Sequence, residues 1–245
     1  MNVIRTSDYT AMSMKARDMI LDRIADFSDL VIAIPTGNTP EMLYSLLVES
    51  HIKEGVSFKN VVTFNLDEYV GLPETSSYSY NYYIKEHFLK HVDTKRNHIP
   101  NGMAGDLERE CAEYEDKIKE EGGLDLAILG IGRNGHIAFN EPGTSFDSLT
   151  HVVNLDEDTI KANARFFPKE EEVPRRALTM GIKTIMGARE IILLASGNEK
   201  ANALYKAILG DITESVPASV LQKHKDCKFV IDNEAASLLG NRNNR

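Results

Sequence analysis

The chain has 245 residues, 42% of them hydrophobic and 27% charged, with a formal net charge of −9. That length and balance suit a globular chain with one core of good size, and no apolar run approaches the roughly 18 residues a membrane span needs. The acidic balance excludes a nucleic acid read through a basic surface, and an anionic small substrate requires cations and N–H donors gathered locally.

The first residues carry neither a basic n-region nor an apolar h-region, so no secretory signal is expected. Residues 9 to 27 place Met12, Ala16, Met19, Ile20, Ile24 and Phe27 among charges at helical spacing, which predicts a scaffold helix. Leu30 to Ile34 is continuous, apolar and partly β-branched, a short buried strand. It ends in Pro35-Thr36-Gly37-Asn38-Thr39-Pro40, after which Glu41 to Val48 resumes helical periodicity. Thr39 before Pro40 reads as an N-cap with proline at the first helical position. A strand, the turn Thr36, Gly37, Asn38 and Thr39, and a helix start together suit a phosphate, which faces unpaired N–H groups and the positive end of the helix dipole. The same turn also serves as a plain connection.

Val61 to Leu66 is a second strand and runs directly into Asp67-Glu68-Tyr69. Carboxylates at the carboxyl end of a buried strand sit where open α/β sheets bind ligands. Either can act as a base, and both can instead cap the following turn, Gly71 to Pro73. Tyr78 to His91 is a largely apolar helix. His87 and His91 have the spacing of a helical zinc pair, but Phe88 follows His87 where a metalloprotease has glutamate, and no third ligand is evident. They read as surface histidines, and no metal is expected. Leu107 to Glu120 reads as a charged surface helix.

The third strand, Leu124 to Leu129, leads into Gly130-Ile131-Gly132-Arg133-Asn134-Gly135-His136-Ile137-Ala138-Phe139-Asn140-Glu141-Pro142. Gly130, Gly132 and Gly135 satisfy the dinucleotide fingerprint in its loosest form, but that fingerprint demands a helix directly after the last glycine. Pro142, Gly143 and Ser145 interrupt any such helix, which leaves His136 and Glu141 as the better lead. Residues 142 to 176 have little core signal and carry the acidic run Glu170-Glu171-Glu172, the pattern of a lid or binding loop. Arg165 is its notable cation.

Ile191 to Ala195 is a fourth strand, followed by Ser196-Gly197-Asn198-Glu199-Lys200 and the helix Ala201 to Leu209. Lys200 near a helix N-terminus opposes the dipole unless an anion sits close by, and such local conflicts tend to mark sites. Lys228 to Asp232 closes as a last strand, and Asn241 to Arg245 is expected to fray. Cys111 and Cys227 belong to no C-x-x-C pair, which points to free thiols in a reducing compartment, the cytoplasm. With no linker or repeat visible, residues 1–245 are expected to form a single domain.

In a mostly parallel sheet with helices between strands, the four strand ends lie on one edge. Two anion-binding turns, a carboxylate, a His/Glu pair and a lysine gathered there describe a site where a phosphorylated small molecule undergoes proton transfer. His136 titrates near neutrality as a residue type, and Glu141 can fix its tautomer.

The strings Val-Val-Thr-Phe-Asn-Leu-Asp-Glu-Tyr-Val-Gly-Leu-Pro (61–73) and Gly-His-Ile-Ala-Phe-Asn-Glu-Pro (135–142) closely resemble the glucosamine-6-phosphate deaminase family. Ala162 to Phe167 and Ala177 to Gly181 also resemble it, and the similarity runs in order from about residue 30 to 232. The resemblance implies an α/β, Rossmann-like three-layer αβα fold with a mostly parallel central sheet and a lid segment at 142–176. It implies ring opening, aldose-ketose isomerisation and deamination of glucosamine 6-phosphate to fructose 6-phosphate and ammonia, in amino-sugar catabolism, with no metal or organic cofactor. Asp67 then corresponds to the base at C2, and His136 held by Glu141 to the group that opens the pyranose. Arg165, Lys200 and the turn Thr36 to Thr39 correspond to phosphate contacts. The partners implied are a hexosamine 6-phosphate, no nucleic acid and no membrane, with self-association into a homo-oligomer left open.

Two positions depart from the better-known members. Asn134 stands where they carry aspartate, and asparagine orients by hydrogen bonding but takes no charge. Gly37-Asn38 stands where many have two glycines. The competing readings are a galactosamine-6-phosphate deaminase, a 6-phosphogluconolactonase-like hydrolase, and a non-catalytic sugar-phosphate sensor.

Overall fold

The computed structural model describes residues 1–169 and 172–240. The expected fraying at Asn241 to Arg245, and the first two glutamates of the acidic run, lie outside them.

Seven strands form a parallel central sheet in the order β1 (Asn2–Thr6), β10 (Cys227–Asp232), β9 (Glu190–Ala195), β6 (Leu126–Leu129), β2 (Leu30–Ile34), β3 (Val61–Asn65), β5 (Arg96–His98). The inner strands are largely apolar, β2 and β6 entirely so, because helices cover both faces. Along β2 and β9, Val31, Ala33, Ile191, Leu193 and Ala195 enter one apolar cluster, while Leu30, Ile32, Ile34, Ile192 and Leu194 enter the other. Helices α1 (Tyr9–Asp26), α2 (Glu41–Glu54) and α3 (Tyr80–His87) close the second cluster through Met12, Ile20, Leu43, Leu47 and Ile84. On the other face stand α4 (Leu107–Glu120), α6 (Ile182–Met186) and α7 (Ala201–Leu209), contributing Tyr114, Ile118, Ile185 and Leu204. Each such buried aliphatic or aromatic side chain stabilises the fold by roughly 1.5–3 kcal/mol. This is the expected three-layer αβα architecture. Among the described residues, no helix is long and apolar enough to cross a membrane.

The chain order places the site. From β2 the chain builds towards one edge through β3 and β5, then crosses to put β6 on the other side of β2 and builds away through β9 to β10, which lies against the first strand, β1. The reversal opens a crevice at the carboxyl ends of β2 and β6, where open sheets take ligands.

Three features depart from the sequence reading. The edge strands β1 and β5 carry Asn, Arg and His, and a solvated edge shows no apolar run. A small antiparallel sheet of β4 (Asp67–Tyr69), β8 (Arg176–Thr179) and β7 (His151–Asn154) covers the crevice side, so residues 142–176 hold β7 and a helix, α5 (Glu157–Asn163), as well as loop. Finally, α2 begins at Glu41 with Pro40, which has no side-chain acceptor, in the N-cap position, and Glu41 N–H turns back to the Asn38 carbonyl at 3.3 Å. Thr39 is therefore free of capping.

Candidate active site

A cleft of about 1320 Å³ occupies the crevice. The turn Thr36 to Thr39, Asp67, Asn134, His136, Arg165 and Lys200 all line it, and Glu141 lies behind His136.

Asp67 sits where β3 leaves the central sheet and pairs, as β4, with Thr179 of β8. It is almost wholly buried. Burial, followed by the neighbouring charge of Glu68, pushes its carboxyl up to about 8. The adjacent Glu68 points elsewhere. It accepts backbone N–H bonds from Tyr69 at 2.8 Å, Tyr80 at 2.9 Å and Asn81 at 2.7 Å, so it caps the start of α3 and is not free to act on a ligand. The acidic pair thus divides into one capping carboxylate and one that faces the cleft.

The glycine-rich loop builds the second proton-transfer group. Gly132 carries no side chain because a Cβ there would stand 2.3 Å from Cε1 of His136, so the imidazole lies across it. Gly135 has φ +90°, which lets the loop double back. Ala138, at φ 50°, holds a left-handed conformation at a cost of about 1 kcal/mol, in the tight turn closed by Asn140 N–H on the Ile137 carbonyl at 3.1 Å. That turn brings Glu141 back to 3.3 Å from Nδ1 of His136. Asn134 ties the pair together, donating from Nδ2 to Glu141 Oε2 at 2.8 Å and accepting from the His136 N–H at 3.1 Å. Burial raises the Glu141 carboxyl, but the bonds from His136, Thr159 and Asn134 outweigh it and hold the group below the ordinary carboxylate value.

The two polar turns do different work. In the first, Tyr83 and Tyr9 donate to the carbonyls of Gly37 at 2.7 Å and Asn38 at 2.9 Å, and among the described residues no N–H of Thr36 to Thr39 bonds to protein. Those N–H groups are available to an anion. In the second, Gly197 N–H is taken by Asp232 at 3.1 Å, so this turn offers Lys200 rather than a cradle of N–H groups. Burial and the cations Arg133 and Arg165 lower the Lys200 ammonium despite Glu199 beside it. Arg133 pairs with Glu199, and the Arg165 guanidinium lies 4.8 Å from the ring centre of Phe166. Crowded cations of this kind are relieved by an anionic ligand.

Residues 7–230 match the family described as glucosamine-6-phosphate isomerases/6-phosphogluconolactonase. The chain belongs to that family. A glucosamine-6-phosphate deaminase of Oceanobacillus iheyensis is 51% identical over 237 residues, covering 96% of this chain and 95% of that protein. A solved structure described as a monomeric glucosamine-6-phosphate deaminase matches with a TM-score of 0.95 at 49% identity, over 97% of this chain and 100% of its own. A 6-phosphogluconolactonase from Trypanosoma cruzi matches with a TM-score of 0.75 at 25% identity, over 98% and 97% of the two chains.

Within the family frame the cleft also holds residues that the sequence did not single out. Thr159 of α5 reaches the His136–Glu141 pair, and Asn163 of the same helix donates to the Tyr69 hydroxyl at 2.8 Å. Arg133 was visible only as part of a string of glycines. Nothing local marks Thr159, whose partner stands 23 residues away in the chain.

Proposed function

We infer that the protein is a glucosamine-6-phosphate deaminase that converts glucosamine 6-phosphate and water to fructose 6-phosphate and ammonia. The observation that carries this is the pairing, in one cleft, of a buried carboxylate that has no hydrogen-bonded cation among the described residues and a separate His/Glu pair. A proton next to a masked carbonyl becomes acidic only once the ring is open, so the chemistry needs one acid/base group for opening and another over C2. His136, oriented by Glu141 and Asn134, moves the proton between the ring oxygen and the anomeric hydroxyl. Asp67 then takes the C2 proton and returns it at C1, and water releases ammonia from the fructosimine.

The phosphate sits on the N–H groups of Thr36 to Thr39 with Lys200 and Arg165, and its binding energy holds C2 against Asp67. The substrate ammonium at C2 also favours the ionised form of Asp67, which burial disfavours. Residues 142–176 are the lid of this single-domain enzyme and exclude water that competes for protons. The proposed setting is amino-sugar catabolism in the cytoplasm, in keeping with two buried free thiols. A lactonase has no use for a base over C2, and a sensor has none for Asp67 or His136.

Purified protein given glucosamine 6-phosphate, with galactosamine 6-phosphate in parallel, is expected to release ammonia from the glucosamine ester without added cofactor. Release only from the galactosamine ester reassigns the epimer. Hydrolysis of 6-phosphogluconolactone with no ammonia makes it a lactonase, and binding without turnover makes it a sensor.

A further inference from the structure

The deaminase reading leaves one buried hydroxyl without a role. Thr159, near the middle of α5, is 4% exposed, and its Oγ1 stands 3.5 Å from Nδ1 of His136. Its hydroxyl is also among the groups that hold the Glu141 carboxyl down. A buried hydroxyl costs stability unless it is partnered, and a valine of the same shape fills such a place in a helix without that cost. Apolar anchoring of α5 is already supplied by Ile160, in the cluster with Tyr69, Phe139 and Val153.

One turn further along the same face, Asn163 donates to Tyr69 Oη at 2.8 Å. Tyr80 donates to that same oxygen at 3.3 Å and also meets Thr36 of the phosphate turn. The helix therefore stands on two polar contacts, one in the acid/base pair and one in a tyrosine chain that leads to the phosphate turn. The titratable group that faces Glu141 is His136, since Asn134 and Thr159 carry no charge; from α5 itself, Asp158 and Lys161 line the cleft.

We propose that Thr159 is a positioning residue for ring opening, whose hydroxyl lets the docked lid helix fix the geometry of the His136–Glu141 pair. The pair is then in register for proton transfer when α5 is seated, and the tyrosine chain makes that seating answer to the phosphate turn. The role rests on the deaminase reading, while the contact itself does not.

The test compares Thr159→Val and Thr159→Ser with Asn163→Ala, a variant that loosens the lid without touching the pair. In Thr159→Val, kcat falls about 10-fold or more, the scale of a lost bond to a charged group, while KM changes by less than about 3-fold. Thr159→Ser returns kcat to within about 3-fold of the parent. Carbon NMR of the ligand-free protein shows the Glu141 carboxyl titrating at higher pH in Thr159→Val and moved less in Asn163→Ala, which keeps the hydroxyl and instead raises KM. A Glu141 titration unmoved in Thr159→Val, or serine no better than valine, overturns the proposal. If the parent releases no ammonia, the deaminase reading falls, and the carboxyl titration still decides the contact. Should the valine variant fail to fold, Thr159→Ala is read in the same way.

Discussion

Asp67 at the exit of β3 and Glu141 behind the glycine loop are equally hidden, each 7% exposed. Their carboxyls nonetheless move in opposite directions. Burial with Glu68 alongside drives Asp67 up to about 8, while bonds from His136, Thr159 and Asn134 overcome burial and hold Glu141 down. Depth alone does not set the charge of a carboxyl; what it meets at that depth does. The difference separates the two jobs the proposed reaction needs, a base that becomes charged when an ammonium arrives and a permanent anion that steers an imidazole.

The most severe way to break the contrast is Asp67→Asn. Ammonia release is expected to fall by about 10³-fold or more. The same change is expected to stabilise the fold, because the folded value of about 8 lies above the ordinary 3.8. The contribution of Asp67 to stability is complete below the ordinary value and is lost as pH rises through the folded one, so the advantage of the asparagine variant grows across that window to a few kcal/mol, on the order set by 1.4 kcal/mol per pH unit. Thermal denaturation at pH 5 and pH 9 checks this, and equal shifts at both would refute it.

Glu141→Gln comes next. Turnover should drop roughly 10²-fold, since the imidazole loses the anion that orients it. Here the sign of the linkage reverses. The lowered folded value stabilises the parent above the ordinary carboxylate range, so parent and variant converge as pH falls through that value. A stability gap that persists in acid would remove Glu141 from its assigned state.

Asn134→Asp makes the two regions more alike by setting a second carboxylate where Nδ2 now donates at 2.8 Å. Two carboxylates at that distance cannot both ionise easily, so the acidic limb of the pH–rate profile moves upward, with a change in maximal rate of less than about 10-fold. An unmoved limb would mean that Asn134 does not communicate with Glu141.

The smallest effect is expected from Glu68→Gln. Burial ranks above Glu68 as the cause of the Asp67 shift, so removing the Glu68 charge lowers the pH at which kcat/KM is half-maximal, by less than about one unit. Loss of charged capping at α3 lowers stability by about 1 kcal/mol, which urea titration reads. A collapse of the Asp67 value to the ordinary range would make the neighbouring charge, and not burial, the governing cause.

The inner strands were legible because helices on both faces demand unbroken apolar runs such as Leu30 to Ile34 and Ile191 to Ala195. The edge strands β1 and β5 and the small sheet were not, since runs of three to five polar or mixed residues leave no periodic signature. The glycine loop was legible as a place of chemistry, but not the reason for Gly132, which is the imidazole four residues on. The turn at Ser196 reads in the sequence as a second anion cradle, but its Gly197 N–H is held by Asp232, 35 residues away.

Sequence alone determined the inner strands and the main helices, the family and the side chains able to do the chemistry, because periodicity and motif spacing are local properties of the chain. Tertiary structure decided which of Asp67 and Glu68 faces the cleft, and which buried carboxyl keeps its charge. Two of the three donors that take Glu68 out of play stand 12 and 13 residues away, at the start of α3. Charge state is set by such distant neighbours in a medium of low dielectric, and their positions exist only once the sheet has folded.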